Sequence, residues 1–257
     1  MTDHIQNYWE KQGDLYSQSH KASWEDRYGI ELEIEEIGKF INPGDRVLDI
    51  GCANGFSTFR QLKNDPKQLI GIDFAESMIQ AANRSSKECG FPANIEFQIG
   101  DVCSLDFDSD LFDVTYTTRV LINLPTWADQ KVGIQEALRV TKKGGHTILS
   151  EAFYEPLVLL NAIRALLNLP PLIEHDFNRY LKQIRLEEFL RRQGIEFYRI
   201  DLSSLYYFGS RVFRELIFEA VKDDGYTNPI NKVFFELQKQ YSSDVGLGIQ
   251  QMYVLRK

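Results

Sequence analysis

Acidic residues lie at or just after the ends of three apolar segments in the first half of the chain. Asp49 and Asp73 end the first two of these segments, and Asp101 comes just after the third. A carboxylate accepts hydrogen bonds from hydroxyl and amine groups and favours positive charge nearby. Because the carboxyl ends of parallel strands meet at one edge of a sheet, these acids are expected to face one ligand that carries several donors.

The turn after Asp49 carries two glycines. Gly51 and Gly55 can adopt backbone angles that other residues avoid, and they let the main chain approach a ligand closely. An ordinary strand-to-helix turn can carry glycines as well, so the residues downstream of the turn decide between the two interpretations. Asp73 comes 24 residues after Asp49, near the ~20-residue offset of a ribose-binding carboxylate. Asp73 is therefore a candidate ligand for ribose hydroxyls.

Apolar segments and amphipathic segments alternate along the chain. The patterns predict strands over residues 47–50, 69–73, 94–99, 112–117, 146–150, 195–202 and 248–255, and helices over 56–63, 126–140 and 186–193. Residues 141–145, with two glycines, are predicted to form the turn into the fifth strand. Such alternation is typical of an α/β fold with a parallel sheet.

The strand-end motifs between about residues 45 and 152 resemble those of class I S-adenosylmethionine-dependent methyltransferases. The resemblance implies a doubly wound, mostly parallel seven-stranded Rossmann-like sheet with helical lid insertions, and S-adenosyl-L-methionine as cofactor. It also implies that the loop after the first strand wraps the methionine part of the cofactor. The loop residues are Asp49, Gly51, Cys52, Ala53 and Gly55, where Ala53 replaces the middle glycine of the family's loop.

The resemblance gives roles to the two later strand ends as well. It implies that Asp73 binds the ribose while Phe74 and Met78 flank the adenine, and that Asp101 and Val102 meet the adenine amine. Further cofactor contacts are predicted for Thr118, Arg119, Tyr16 and Trp24. A nicotinamide enzyme on a similar sheet would need three closely spaced glycines to hold a pyrophosphate, and the chain offers only Gly51 and Gly55 in this turn.

Length and composition favour one α/β domain with insertions. The chain has 257 residues and 43% hydrophobic content, with no run near the ~18 apolar residues of a membrane helix. Its start lacks the pattern of a secretory signal, and its three cysteines have no metal-binding spacing, so a cytoplasmic protein without a metal is predicted. A net charge of −8 argues against binding of nucleic acid.

The predicted division of the chain has two parts. Residues 1–40 form a helical lid segment, and residues 41–257 form the cofactor-binding domain with substrate-cap insertions at about 152–185 and 204–245. The lid prediction rests on the aromatic residues near the start of the chain, which could cover the cofactor and exclude water. The acidic run at 31–36 is interpreted as a solvated helix face.

The side chains that would act on the acceptor are harder to read from sequence. His175 is the preferred general base because its ordinary pKa lies near neutrality, with Glu151 and Tyr207 as further catalytic candidates. The predicted substrate-binding residues are Arg119, Asn123, Glu151, His175, Tyr206, Tyr207 and Arg211. Arg119 could instead form an internal salt bridge to Glu151 or Asp101, whereas Arg119 and Arg211 together would suit an anionic group on the substrate.

These observations together predict methyl transfer to an oxygen or nitrogen of a small polar metabolite. The resemblance implies that the acceptor is a sugar or an amino-acid-derived intermediate of natural-product or glycan biosynthesis. The protein is predicted to be a monomer or a homodimer without membrane partners. Two other functions stay open at this point. One is methylation of proteins or nucleic acids, which needs an open groove, and the other is a non-catalytic sensor of S-adenosylmethionine.

Overall fold

A computed structural model of the chain describes residues 3–217, 226–241 and 244–257. The predicted insertion at 204–245 includes residues 218–225 and 242–243, which lie outside the described residues. The same holds for residues 1 and 2 of the predicted lid segment.

One sheet organises the described residues. Its strands are β1 (Arg46–Ile50), β2 (Gln68–Asp73), β3 (Ile95–Ile99), β4 (Phe112–Thr118), β5 (Thr141–Ala152), β6 (Glu196–Ile200) and β7 (Gln250–Arg256). The strand order is β3-β2-β1-β4-β5-β7-β6, and β7 runs antiparallel to both of its neighbours. This confirms the predicted mostly parallel, doubly wound sheet. The order reverses between β1 and β4, where α/β sheets of this kind open a crevice for ligands.

Helices cover the sheet and its carboxyl edge. They are α1 (Asp3–Tyr16), α2 (Arg27–Gly38), α3 (Phe56–Arg60), α4 (Glu76–Cys89), α5 (Trp127–Val140), α6 (Tyr154–Leu166), α7 (Gln183–Arg192), α8 (Ser204–Phe208), α9 (Arg214–Ile217) and α10 (Pro229–Gln240). A π-helical segment, Gly209–Phe213, joins α8 to α9. None of the helices in the described ranges has both the length and the apolar character needed to span a bilayer.

The hydrophobic core lies on both faces of the sheet. Val47 and Leu69 belong to the core on one face, while their neighbours Leu48 and Ile70 belong to the core on the other. Side chains of a strand point alternately to the two faces, so both sets must be apolar when helices cover both sides. This explains why the strands appear in the sequence as continuous apolar runs.

The predicted turn at residues 141–145 is wrong. These residues belong to β5, where Thr141 pairs with Phe112 and, after a shift of register, His146 pairs with Val114. Gly144 has a φ of 78° and its amide donates to the carbonyl of Lys257 at 2.7 Å. The two glycines thus form an irregularity within a paired strand, which a local pattern cannot distinguish from a turn.

Candidate functional site

The loop between β1 and α3 has an unusual backbone. Gly51, Ala53 and Gly55 all have positive φ, at 79°, 47° and 78°. The amides of Gly51 and Cys52 both donate to the carbonyl of Ile72, at 2.7 and 2.9 Å, which holds the loop against the end of β2. Glycine adopts such angles without cost, whereas Ala53 carries a side chain in the left-handed region. These angles let the loop turn across the carboxyl edge of the sheet while residues 52–55 stay buried.

Asp73 supports this loop from the end of β2. Its two carboxylate oxygens accept hydrogen bonds from the amides of Ala53 and Ala75, each at 2.9 Å. Burial raises the pKa of Asp73 to about 6, although these amide hydrogen bonds act in the opposite direction. Each carboxylate oxygen has a second lone pair, so Asp73 keeps the capacity to accept donors from a ligand.

Asp49 has an unpaired oxygen in a buried position. Thr58 donates to its Oδ2 at 2.6 Å, whereas its Oδ1 and the neighbouring Tyr116 hydroxyl both lack a hydrogen bond of good geometry among the described residues. Burial raises the pKa of this carboxyl to about 7, against the opposing effect of the neighbouring Thr58 and Tyr116 hydroxyls. A buried polar atom without a partner destabilises the folded state, and a cationic donor placed here would relieve that cost.

The N-terminal segment is attached to this site at two points. The carboxylate of Glu10 accepts hydrogen bonds from the amides of Glu76 and Ser77 at 2.8 and 2.9 Å, where its negative charge suits the N-terminus of α4. The side-chain amide of Asn54 donates to the carbonyls of Ser17 and Ser19 at 2.5 and 2.8 Å. The segment therefore lies over the loop that connects β1 to α3.

A cavity in two lobes, here called the central cavity, lies between the loop and the N-terminal segment. Both lobes are lined by Ser23, Gly51, Ala53, Thr118 and Arg119; the first adds Trp9, Asp73, Phe74, Val120 and Asn123, and the second adds Asp49, Cys52, Asn54, Phe56 and Ser57. The lobes measure about 50 and about 20 Å³. Sites for small molecules usually span about 300–1,000 Å³, so a nucleoside-sized ligand requires the N-terminal segment to move outward.

A second cavity, here called the outer cavity, adjoins the first and measures about 240 Å³. Five of its twelve lining residues are Tyr, Trp or Phe; the full lining is Tyr8, Trp9, Ser23, Trp24, Arg119, Ile122, Asn123, Ile173, His175, Phe177, Asn178 and Tyr180. Trp9, Ser23, Arg119 and Asn123 line both cavities. Trp9 Nε1 and Asn123 Oδ1 are buried and have no hydrogen-bond partner among the described residues.

The structure gives Arg119 a partner that the sequence did not suggest. Its guanidinium forms an ion pair with Glu33 of α2, so the predicted pairing with Glu151 or Asp101 is wrong. Glu33 is buried, which also corrects the interpretation of residues 31–36 as a solvated helix face. The charge of Arg119 is thus balanced within the protein, although its side chain still lines both cavities.

Glu151 lies away from the cavities. It is fully buried, and its carboxylate accepts hydrogen bonds from the Thr117 hydroxyl at 2.7 Å and from the amides of Val120 and Leu121 at 3.1 Å. Burial raises its pKa to about 7. By accepting these hydrogen bonds, the carboxylate holds the segment after β4 in place. It therefore faces the main chain rather than an acceptor.

Tyr206, Tyr207 and Arg211 form a cluster around Asp26 instead of lining a cavity. The Tyr206 hydroxyl and Arg211 Nη2 both donate to the Asp26 carboxylate at 2.5 Å. Tyr207 is buried beside them, with the Arg211 guanidinium carbon 5.1 Å from the centre of its ring. The structure therefore brings His175, Asn123 and Arg119 together but not these three residues.

Several predicted cofactor residues also lie outside the cavity linings. Met78 is buried in a small apolar cluster against which Tyr16 packs, and Val102 is buried in the core. Asp101 is exposed and accepts the amide of Cys103 at 2.9 Å. Gly55 begins α3 as its N-terminal flanking residue. Their roles at the cofactor stay predictions.

A model of the methyltransferase domain family matches residues 41–195, which is more than half of the chain. The chain belongs to the class I S-adenosylmethionine-dependent methyltransferase family. Its similarity to 27-O-demethylrifamycin SV methyltransferase of Amycolatopsis mediterranei is 28% identity over 116 residues, covering 45% of this chain and 42% of that protein. Its similarity to demethylmenaquinone methyltransferase of Lactococcus lactis is 29% identity over 166 residues, covering 58% of this chain and 64% of that protein.

A solved structure supports the same fold. Phosphoethanolamine N-methyltransferase 1 of Haemonchus contortus superposes with a TM-score of 0.64 at 15% identity, covering 99% of this chain and 49% of that one. This chain therefore spans less than two thirds of the length of each of these three proteins. The matched range 41–195 includes the glycine-bearing loop and the acids of β1 and β2.

Proposed function

We propose that this protein transfers a methyl group from S-adenosylmethionine to an oxygen or nitrogen of a small molecule. The observation that carries the proposal is the unpaired, buried Oδ1 of Asp49, which lines the same lobe of the central cavity as Gly51 and Ala53. The donors of a cationic amino acid fit this position, and the hydroxyls of a ribose fit Asp73. S-adenosylmethionine combines both groups and supplies an electrophilic methyl group on a positively charged sulfur.

The residues of the central cavity would hold that cofactor in distinct ways. Asp49 accepts from the amino group, the loop amides approach the methionine part, and Asp73 accepts from the ribose hydroxyls. Phe74, next to Asp73 in the cavity lining, offers its ring to the adenine. The small volume of the central cavity means that Trp9 and Ser23 move outward on binding and then close over the ligand.

The outer cavity is the proposed acceptor site. Trp9 and Asn123 stand where the two cavities meet, and they offer one unpaired donor and one unpaired acceptor. An acceptor hydroxyl could accept from Trp9 Nε1 and donate to Asn123 Oδ1, which would fix its orientation. An acceptor amine would donate to Asn123 Oδ1 only, because its single lone pair must face the methyl group. Aromatic side chains around it exclude water, and orientation together with desolvation lowers the barrier to an in-line displacement. His175 lies at the same cavity and is the proposed base for a hydroxyl acceptor.

A small acceptor is supported by the size of this cavity. About 240 Å³ beside the N-terminal segment suits a metabolite or part of one. The similarity to 27-O-demethylrifamycin SV methyltransferase and to demethylmenaquinone methyltransferase agrees with a small-molecule acceptor. A role in cytoplasmic biosynthesis of a sugar or an amino-acid derivative is part of the same proposal.

The test combines binding with turnover. Calorimetry should show binding of S-adenosylhomocysteine with one site per chain, and isotope-labelled S-adenosylmethionine should label small molecules in a fractionated metabolite extract. Protein and RNA fractions from the same extract serve as controls. Label in either macromolecular fraction alone would overturn the small-molecule acceptor, and tight cofactor binding without label in any fraction would favour a sensor.

A further inference from the structure

A third cavity lies on the other side of the wall of the outer cavity and is here called the basic cavity. It measures about 350 Å³ and is lined by Pro125, Trp127, Gln130, Tyr154, Glu174, Arg179, Tyr180, Lys182 and Arg185. No step of the proposed methyl transfer uses this space. Its volume is larger than that of the outer cavity and falls in the range of small-molecule sites.

Positive charge is concentrated at the basic cavity in a chain whose net charge is −8. Arg179, Lys182 and Arg185 contribute three cations, whereas Glu174 is the only acid among the described lining residues. Within the described ranges, none of the three cations forms an ion pair with a carboxylate, and the guanidinium of Arg179 donates only to the carbonyls of Asp176 and Asn178. A phosphate or sulfate group suits such a set because guanidinium groups bind its oxygens in pairs.

Aromatic rings flank these cations. Lys182 Nζ lies 5.1 Å from the centre of the Tyr154 ring, and Trp127 lines the same space. A ligand that joins an apolar or aromatic part to an anionic group would satisfy both features of the lining. A free inorganic anion would use the cations alone.

The segment of residues 173–182 separates the basic cavity from the outer cavity. Ile173, His175 and Phe177 line the outer cavity, and Glu174, Arg179 and Lys182 line the basic one, while Tyr180 lines both. This segment, which forms the wall between the two cavities, is held in place by main-chain hydrogen bonds. The amide of Arg179 donates to the Ile122 carbonyl at 2.6 Å, and that of Leu181 to the Ala152 carbonyl at 3.0 Å.

From this arrangement we infer that the basic cavity binds a phosphate or sulfate group attached to the aromatic or apolar body of the methyl acceptor. The acceptor would pass Tyr180, with its reacting atom in the outer cavity and its anionic end beside Lys182 and Arg185. The link to the acceptor rests on the proposed function, whereas the anion site itself does not.

The first experiment measures binding to the full chain by calorimetry with phenyl phosphate, inorganic phosphate and phenol. Phenyl phosphate should bind roughly tenfold more tightly than inorganic phosphate, and phenol should bind more weakly than either. A Lys182→Gln/Arg185→Gln variant should lose roughly tenfold or more of the phenyl phosphate affinity. The matched control is Arg191→Gln/Arg192→Gln, which removes two charges from the same helix outside the cavity, where they pair with Glu187 and Glu188.

Equal losses in the two double variants would overturn the anion site, because the effect would then depend on net charge alone. Binding of S-adenosylhomocysteine should be unchanged in both variants, so a failure of the anion site is separate from a failure of cofactor binding.

The second experiment compares labelled products from phosphate- or sulfate-bearing compounds with those from neutral ones. For the anionic acceptors, Lys182→Gln/Arg185→Gln should raise KM roughly tenfold and leave kcat within about twofold, as expected for lost uniform binding. Neutral acceptors should show no such change. The cavity could bind phenyl phosphate while the Lys182→Gln/Arg185→Gln variant leaves KM for anionic acceptors unchanged. That result would overturn the link to the acceptor and indicate that the anion site binds a separate effector.

Discussion

The guanidinium of Arg119, at the end of β4, forms an ion pair with the buried carboxylate of Glu33 on α2. Glu33 also accepts hydrogen bonds from the Ser150 hydroxyl and the Gln250 side-chain amide, both at 2.9 Å. On its other side, Arg119 lies with its guanidinium carbon 4.7 Å from the centre of the Trp24 ring. This residue therefore joins the N-terminal segment to the sheet beside both cavities.

Arg119→Ala should lower the free energy of unfolding by about 3–5 kcal/mol, since it leaves the Glu33 carboxylate buried without its cation. Urea denaturation of the purified variant measures this loss. Lys39→Ala is the control because Lys39 pairs with Glu36 at the surface, where such pairs contribute about 0–1 kcal/mol. A loss below about 1 kcal/mol for Arg119→Ala would show that the ion pair does not stabilise the fold.

The sequence predicted the strands and their acids well because each signal is local. An apolar run, a terminal acid and a glycine turn lie within a few residues of one another, as at Asp49 and Gly51. Partners that meet only after folding were not predictable in this way. Arg119 and Glu33 are 86 residues apart, and Tyr206 and Asp26 are 180 apart.

One of the missed residues did leave a signal. Glu33 lies at helical spacing from Ile30 and Ile37, which are buried, so the period of α2 places it on the apolar stripe. An acid on that stripe indicates a buried partner rather than a solvated face. Ser23 and Asn54 left no comparable pattern, because their positions depend on how the N-terminal segment lies over the loop after β1. Trp9 is one of the aromatic residues near the start of the chain on which the lid prediction rests.

Asp73→Asn should weaken binding of S-adenosylhomocysteine by about 1.5–3 kcal/mol, the range for hydrogen bonds to a charged group. The amide keeps one acceptor oxygen but loses the charge that two ribose donors would share. Calorimetry measures the change. Because Asp73 also accepts the amides of Ala53 and Ala75, near-ultraviolet circular dichroism checks that the aromatic side chains of the variant keep their native packing. Unchanged affinity in a folded variant would rule out ribose binding by Asp73.

Cofactor affinity should rise with pH through about 7, the raised pKa of Asp49. A bound ammonium favours the ionised carboxylate and lowers that pKa, so binding below pH 7 must release a proton. Between pH 8 and pH 6 the affinity for S-adenosylhomocysteine should fall about tenfold. Calorimetry at pH 6.5 in two buffers of different ionisation enthalpy should reveal the released proton.

Asp49→Asn provides the comparison for this pH dependence. The variant should bind more weakly at pH 8 and should show little change between pH 8 and pH 7, because the titrating group is gone. The affinity of the variant for S-adenosylhomocysteine should still decline near pH 6, since burial also raises the pKa of Asp73 to about 6. If the wild-type protein releases no proton on binding, Asp49 does not contact the amino group.

Asn54→Ala should raise the dissociation rate of S-adenosylhomocysteine, because its side-chain amide ties the carbonyls of Ser17 and Ser19 to the loop after β1. Loss of two hydrogen bonds corresponds to about 1–3 kcal/mol, or roughly a tenfold faster dissociation. Stopped-flow fluorescence of Trp9 and Trp24 can track the release. Gln18→Ala is the control, since its exposed bond to Glu88 lies away from the loop. Equal rates in both variants would argue against a lid.

His175→Ala and Asn123→Ala should impair turnover differently once an acceptor is known. Asn123 Oδ1 is an unpaired acceptor atom where the two cavities meet, so its loss should raise the acceptor KM and lower kcat/KM by roughly tenfold. His175 is exposed and its ring centre lies 4.3 Å from that of Phe177. If it removes the acceptor proton, kcat should fall by roughly 10²–10⁴ while cofactor affinity is unchanged.

A near-normal kcat in His175→Ala would remove it as the base and leave catalysis to orientation. The pH profile then separates the two remaining kinds of acceptor. A hydroxyl that loses its proton to water should give a kcat that keeps rising with pH, whereas an amine should give a plateau above its own pKa. Trp9→Phe would be the next substitution, because it removes the Nε1 donor beside Asn123 while keeping an aromatic ring in both cavities.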